Sequence, residues 1–89
     1  MTPEEFKAEV MEWAGRIGVT YKEIHLRGME RKWSSCSSRG RLTFDPLLLD
    51  EPDIVRVEAV IHELLHLRYP NHSRMFRIML NTYVGMAMA

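Results

Sequence analysis

Apolar residues at helical spacing near the N-terminus predict a first helix. Four large side chains recur at intervals of three or four residues and so share one helical face: Phe6, Val10, Trp13 and Ile17. Thr2 can cap this helix, with Pro3 in the first turn and Glu5 three residues after the cap. Gly18 is typical of a helix end.

The middle of the chain alternates less regularly between apolar and polar residues and predicts short extended segments. The first spans residues 19–26, the second lies around residues 32–37, and the third is at residues 42–44. The polar segment 38–41 between the last two is typical of a hairpin turn, and Pro46 ends the third strand. We therefore expect a small antiparallel or mixed sheet.

A second amphipathic helix is predicted from a cap at Asp50 to about Arg68. Its core face contains Ile54, Val57, Ile61, Leu64 and Leu65. A short C-terminal helix is then expected to begin at Asn71 or Ser73, with residues 85–89 frayed. Helices are therefore expected on both sides of the small sheet.

Length and composition predict one small domain. With 89 residues the chain can bury one hydrophobic core, so residues 1–89 are expected to form a single domain. No run approaches the roughly 20 apolar residues of a transmembrane helix, so no membrane partner is expected. The acidic N-terminus is unlike a signal peptide, and the single cysteine precludes an internal disulfide. These features favour a cytoplasmic location.

The charges cancel in number but are unevenly placed. One stretch is basic, with Arg27, Arg31, Lys32, Arg39 and Arg41. It could meet an anionic partner such as nucleic acid, or it could be a solvated surface balanced by the acidic second helix. We favour the solvated surface, which leaves nucleic acid as a minor alternative.

The strongest chemical signal is the sequence His62-Glu63-Leu64-Leu65-His66, followed six residues later by His72. Histidines four residues apart lie on the same face of a helix and can bind one metal ion. Pro70 favours a helix break that lets His72 return as a third ligand. Three protein ligands and one open position are typical of catalytic zinc, and Glu63 can then deprotonate the zinc-bound water.

Residues that support the metal or the reaction are harder to assign. Glu58 precedes His62 by four residues and could accept a hydrogen bond from this ligand, or it could be an exposed residue paired with arginine. Candidates for a second donor to the developing oxyanion are Arg39, Tyr69 and Tyr83.

Two blocks within residues 31–76 resemble the YgjP-like metallopeptidase domain, a zincin relative of the SprT-like and Wss-type proteases. The first block, RKWSSCSSRG, is similar to the family pattern RWGSCSSxG, although Ser34 replaces its glycine. The second runs from HELLHL through Asn71-His72-Ser73 to Phe76 and is similar to HELAHLxxxNHSxxF.

The resemblance implies a zincin-like α+β fold and a zinc metalloendopeptidase of the HExxH type. It implies one Zn²⁺ per chain on His62, His66 and His72, with Glu63 as the base. The expected partner is a peptide or an unfolded protein, whereas the resemblance leaves the oligomeric state open.

The first block also supplies a candidate substrate-binding strand. It contains Trp33, Ser34, Ser35, Cys36 and Ser37. An extended peptide can pair with such a strand through main-chain hydrogen bonds. Alternatively, Trp33 fills the core and the small residues pack against the metal helix. For Cys36 we favour a small buried hydrophobe over a zinc ligand or an inhibitory thiol.

Two other functions are consistent with the histidine spacing. A non-catalytic zinc or protein-binding module would keep the metal for stability alone. A YbeY-like metal-dependent endoribonuclease has a similar histidine spacing, but it carries glycine where this chain has Glu63. The neutral net charge also gives no general nucleic-acid footprint.

Overall fold

The computed structural model describes residues 1–89 and begins with helix α1, Pro3–Ile17. Thr2 and Glu5 form the predicted capping box, in which each side chain bonds to the other's backbone N–H. Gly18 ends the helix in the left-handed conformation that glycine adopts without a Cβ clash. The predicted apolar face is buried, so the first helix is confirmed.

Three strands form a mixed sheet in the order β1-β3-β2. Strand β1 is Glu23–Leu26, β2 is Ser34–Cys36 and β3 is Arg41–Phe44. β3 pairs in parallel with β1 and antiparallel with β2, which leaves one edge of β2 unpaired within the sheet. The first two strands are shorter than predicted because the short central strand offers few residues to pair with.

Asp45 anchors the loop that leads into β2. Its carboxylate accepts hydrogen bonds from the backbone N–H groups of Met29 and Leu47, both at 2.9 Å. These bonds hold the pKa of Asp45 below its usual value. Its own N–H donates to the carbonyl oxygen of Trp33 at 2.9 Å. This residue thereby fixes the backbone just before β2.

Helix α2 is Asp53–His66, and a 3-10 helix, Pro46–Asp50, precedes it. The predicted cap at Asp50 is wrong, because this residue ends the 3-10 helix and Pro52 occupies the N-cap. The helix also stops at His66, before the predicted end at Arg68. His66, the second candidate metal ligand, is therefore the last residue of α2 and lies next to the turn that follows.

Helix α3 is Arg74–Met88, capped by Ser73, which was one of the two predicted caps. The predicted fraying of residues 85–89 is wrong, since the helix continues to Met88. Several of its side chains pack against the core: Met79, Leu80, Tyr83, Val84 and Ala87. The α+β class is confirmed, and no helix has both the length and the apolar character needed to cross a membrane.

Candidate metal centre

Three histidines converge where α2 ends and the chain turns toward α3. His62 and His66 lie one turn apart on α2, and His72 returns from the loop before Ser73. One ring nitrogen from each lies within 4.8 Å of the other two. The Nε2 atoms of His66 and His72 are 3.1 Å apart. The predicted third histidine is thus brought to the first two.

Hydrogen bonds on the opposite ring nitrogens orient two of these rings. Nδ1 of His66 lies 3.2 Å from the carbonyl oxygen of Tyr69, and Nδ1 of His62 lies 3.1 Å from Oε2 of Glu63. A carbonyl and a carboxylate only accept, so Nδ1 donates in both pairs and Nε2 is the ring nitrogen available to a metal ion. Such partners are typical of metal-bound histidines.

The donor set suits zinc. Nitrogens bound tetrahedrally at about 2.0–2.1 Å would lie roughly 3.3 Å apart, close to the 3.1 Å between His66 and His72. All three candidate ligands are imidazoles, which zinc accepts readily, and no fourth protein group joins the cluster. The arrangement therefore resembles a catalytic site more than a closed structural one.

A single phenyl ring underlies the cluster. The ring centroid of Phe76 is 5.1 Å from that of His62, 4.7 Å from His66 and 4.9 Å from His72. Phe76 is buried on α3, so it fixes this helix beneath the histidines. The helical pattern predicts only that Phe76 lies on the third helix. Its position at the end of the second block of the family resemblance is the one sequence feature that links it to the histidines.

Glu63 is buried beside the cluster, at 4% exposure. Ser34 Oγ donates a 2.6 Å hydrogen bond to Oε2, the same oxygen that accepts from His62. Burial alone would raise the pKa of Glu63, but these bonds and the nearby histidines outweigh it and lower the pKa. The other carboxylate oxygen, Oε1, has no hydrogen-bond partner. Every fully buried side-chain oxygen in the protein has one, so Oε1 is not fully buried and is accessible from the cleft that Glu63 lines.

Strand β2 forms the other wall of a cleft of about 600 Å³ that contains the histidines and Glu63. Its lining includes most of the predicted substrate strand: Ser34, Ser35, Cys36 and Ser37. Trp33 is 38% exposed, so it does not fill the core as the alternative required. Cys36 is only half-buried, and burial, followed by the charge of Glu63, raises the pKa of its thiol.

Other candidates lie outside this arrangement. Glu58 is exposed and makes no hydrogen bond to a histidine, whereas Glu63 itself contacts His62. Tyr83 packs against Trp13, and Arg39 borders a different cavity. Of the three candidates for an oxyanion donor, Arg39, Tyr69 and Tyr83, none lines the cleft. Tyr69 contributes through its backbone, which a sequence pattern cannot indicate.

The fold is similar to that of a metallopeptidase of known structure. The crystal structure of the metallopeptidase zymogen of Pyrococcus abyssi abylysin matches with a TM-score of 0.74, covering 84% of this chain and 75% of that chain. At 22% identity, this likeness shows the fold alone. No curated protein matches the sequence.

Residues 2–88 match the sequence profile of the YgjP-like family, a metallopeptidase domain. The chain belongs to this family, which confirms and extends the resemblance seen in residues 31–76. Membership implies a metal-dependent protease that acts on peptides or proteins.

Proposed function

We propose that this protein is a zinc metalloendopeptidase with one Zn²⁺ held by His62, His66 and His72 and with Glu63 as its base. The observation that carries the proposal is the convergence of three imidazoles beside a buried carboxylate with one oxygen open to the cleft. The family match supports proteolysis as the reaction class.

Zinc in this position would lower the pKa of a bound water to about 7 and polarise the scissile carbonyl. The protein's part is to hold three imidazoles and leave room for substrate. Tyr69 and Glu63 orient two of the rings, and Phe76 supports all three from below.

Glu63 has the geometry of a general base. Ser34 and His62 both bind Oε2, which fixes the carboxylate and leaves Oε1 for the attacking water. The lowered pKa keeps Glu63 ionised at neutral pH, ready to accept a proton. Glu63 then returns this proton to the leaving amine as the peptide bond breaks.

The free edge of β2 supplies a place for an extended substrate. β2 lies at the edge of the sheet and lines the cleft through Ser34, Ser35 and Cys36. A peptide that pairs there by main-chain hydrogen bonds would pass directly over Glu63. Main-chain recognition makes few demands on side chains, so unfolded proteins are the expected substrate class.

Proteolysis of casein at known zinc content tests the proposal. Cleavage should require one zinc per chain, disappear with a chelator and return when zinc is restored. Absence of zinc after metal-replete purification would overturn the proposed centre. Zinc bound without cleavage of any unfolded protein would favour the non-catalytic module instead.

A further inference from the structure

The cleft continues past the histidines along helix α2. This second part, which we call the side pocket, has a volume of about 340 Å³. It shares Lys32, Ser34, His62 and Glu63 with the main cleft. Its remaining walls and rim are formed by Trp33, Val55, Glu58 and Ala59. A side chain in this pocket would therefore lie next to the reacting groups.

The two ends of the cleft differ in chemistry. In the main cleft, β2 and the residues just after it contribute small polar groups, namely Ser35, Ser37 and Ser38. The side pocket instead is lined by three apolar side chains, Trp33 from the segment before β2 and Val55 and Ala59 from α2. An asymmetric cleft of this kind can distinguish the residues on the two sides of a scissile bond.

Trp33 is the largest side chain that lines the side pocket. It remains 38% exposed, while the backbone beside it is fixed by the bond from Asp45 N–H to its carbonyl oxygen. A large aromatic side chain held at the mouth of a cleft offers contact area at a low cost in conformational entropy. The position of this ring favours a binding role over a packing role.

The charges at the mouth of the pocket favour neither sign. Lys32 and Glu58 are both exposed there and have opposite charges. Any preference for a particular substrate side chain must therefore come from the apolar walls, Trp33, Val55 and Ala59. Side chains on a strand alternate between its two faces, so a peptide paired with β2 can direct one of every two side chains toward α2.

We propose that the side pocket binds a medium or large apolar side chain of the residue that flanks the scissile bond. The substrate class is then unfolded segments with an aliphatic or aromatic residue at this position. The proposal rests on the proposed metalloprotease function, because the zinc centre would fix the scissile bond beside the pocket.

Binding of peptide hydroxamates to the zinc-loaded protein tests the pocket without requiring turnover. The hydroxamate binds the metal while an attached leucine or aspartate side chain probes the pocket. We expect the leucine probe to bind at least about tenfold more tightly, the lower end of what an apolar pocket discriminates. Calorimetric titration measures both affinities.

Variants assign the preference to named walls. Trp33→Ala should reduce the preference for leucine severalfold, and Val55→Lys should shift it toward aspartate. Ile54→Lys is the matched control, since Ile54 is exposed on the same helix but does not line the pocket. Circular dichroism checks folding of Val55→Lys, while Trp33→Ala alters an exposed side chain and provides an independent test.

The outcomes separate the two proposals. Equal affinity for both probes in the zinc-loaded parent would overturn the side pocket while leaving the metal centre intact. The side pocket would also be overturned if Ile54→Lys alters the preference for leucine as much as Trp33→Ala does. Failure of every probe to bind, together with no zinc by elemental analysis, would overturn the metal centre and the pocket that depends on it.

Discussion

Two charged residues are buried on the same face of helix α2, and their surroundings differ. Arg56 is 8% exposed and Glu63, seven residues later, is 4% exposed. Arg56 donates to both carboxylate oxygens of Glu9, at 2.9 and 3.2 Å, and to Asp53 at 2.9 Å. Glu63 has no lysine or arginine partner, only the hydroxyl of Ser34 and the ring of His62.

The difference separates a structural charge from a reactive one. The pair with Glu9 raises the pKa of Arg56 despite burial and joins α1 to α2, so every nitrogen group of Arg56 has a carboxylate partner. A buried charge with incomplete compensation is costly and is more often found at functional sites. Glu63, with one oxygen open to the cleft, fits this second class.

The largest effect is expected from Glu63→Gln. Glutamine keeps the size of the side chain and can still accept from Ser34, but it cannot take a proton from water. Turnover of casein should therefore fall by about 10²–10⁴-fold. Zinc content by elemental analysis and the thermal unfolding midpoint should stay close to those of the parent, because the variant removes a buried charge without creating a cavity. Unchanged turnover would assign the cleavage to a contaminant or to different chemistry.

Arg56→Met should have the opposite effect, with stability reduced and turnover unchanged. The loss leaves Glu9, whose side chain is 20% exposed, without its bidentate partner. We expect the free energy of unfolding to fall by about 1–3 kcal/mol, the usual cost of an unsatisfied buried polar group. Denaturant titration measures the loss.

Activity per folded molecule and zinc content should remain those of the parent. Glu9→Gln combined with Arg56→Met should cost less than the sum of the two single changes, since both remove one interaction. If zinc-loaded Arg56→Met loses turnover as severely as Glu63→Gln, the two residues do not differ in role.

The contrast between the two charges also explains what the sequence could predict. His62, Glu63 and His66 lie on one helix, so their spacing alone specifies their relative positions. No local pattern indicates the role of Arg56, because its main partner, Glu9, lies 47 residues away along the chain. The same applies to Ser34, which is 29 residues from Glu63. Contacts between distant segments depend on packing that no local pattern reports.

Helices were predicted more closely than strands for a related reason. The face of α1 follows from its own periodicity, and its ends follow from Thr2 and Gly18. The lengths of β1 and β2 are set instead by their shared neighbour β3, Arg41–Phe44, which is short. The end of α3 likewise depends on packing against the core. This packing keeps residues 85–88 helical, although their composition alone predicts fraying.

A smaller effect should follow Ser34→Ala. The hydroxyl orients Oε2 of Glu63, and a hydrogen bond to a charged acceptor contributes about 1.5–3 kcal/mol. Part of this loss should appear in catalysis, so we expect kcat/KM to fall by about tenfold, with each tenfold worth about 1.4 kcal/mol. Zinc content should not change.

Ser34→Thr is the matched control, because it keeps a hydroxyl that can donate to Glu63. Steady-state kinetics should place it near the parent. Equal losses in the alanine and threonine variants would indicate a steric role for Ser34 and not a hydrogen-bonding one. The related family pattern has glycine at this position, so Ser34→Gly asks further how far this chain depends on the hydroxyl.

The smallest effect is expected from Glu58→Gln, which tests the sequence prediction that Glu58 supports a metal ligand. A residue with that role would weaken zinc binding by about 10–100-fold when changed. The structure favours an almost unchanged affinity, because Glu58 is exposed and Nδ1 of His62 already donates to Glu63. Competition with a chelator of known affinity measures the difference. A tenfold loss would mean that the ring of His62 turns toward Glu58 when zinc is bound. Glu63 would then lose one of its two partners on Oε2 and differ still more sharply from the fully paired Arg56.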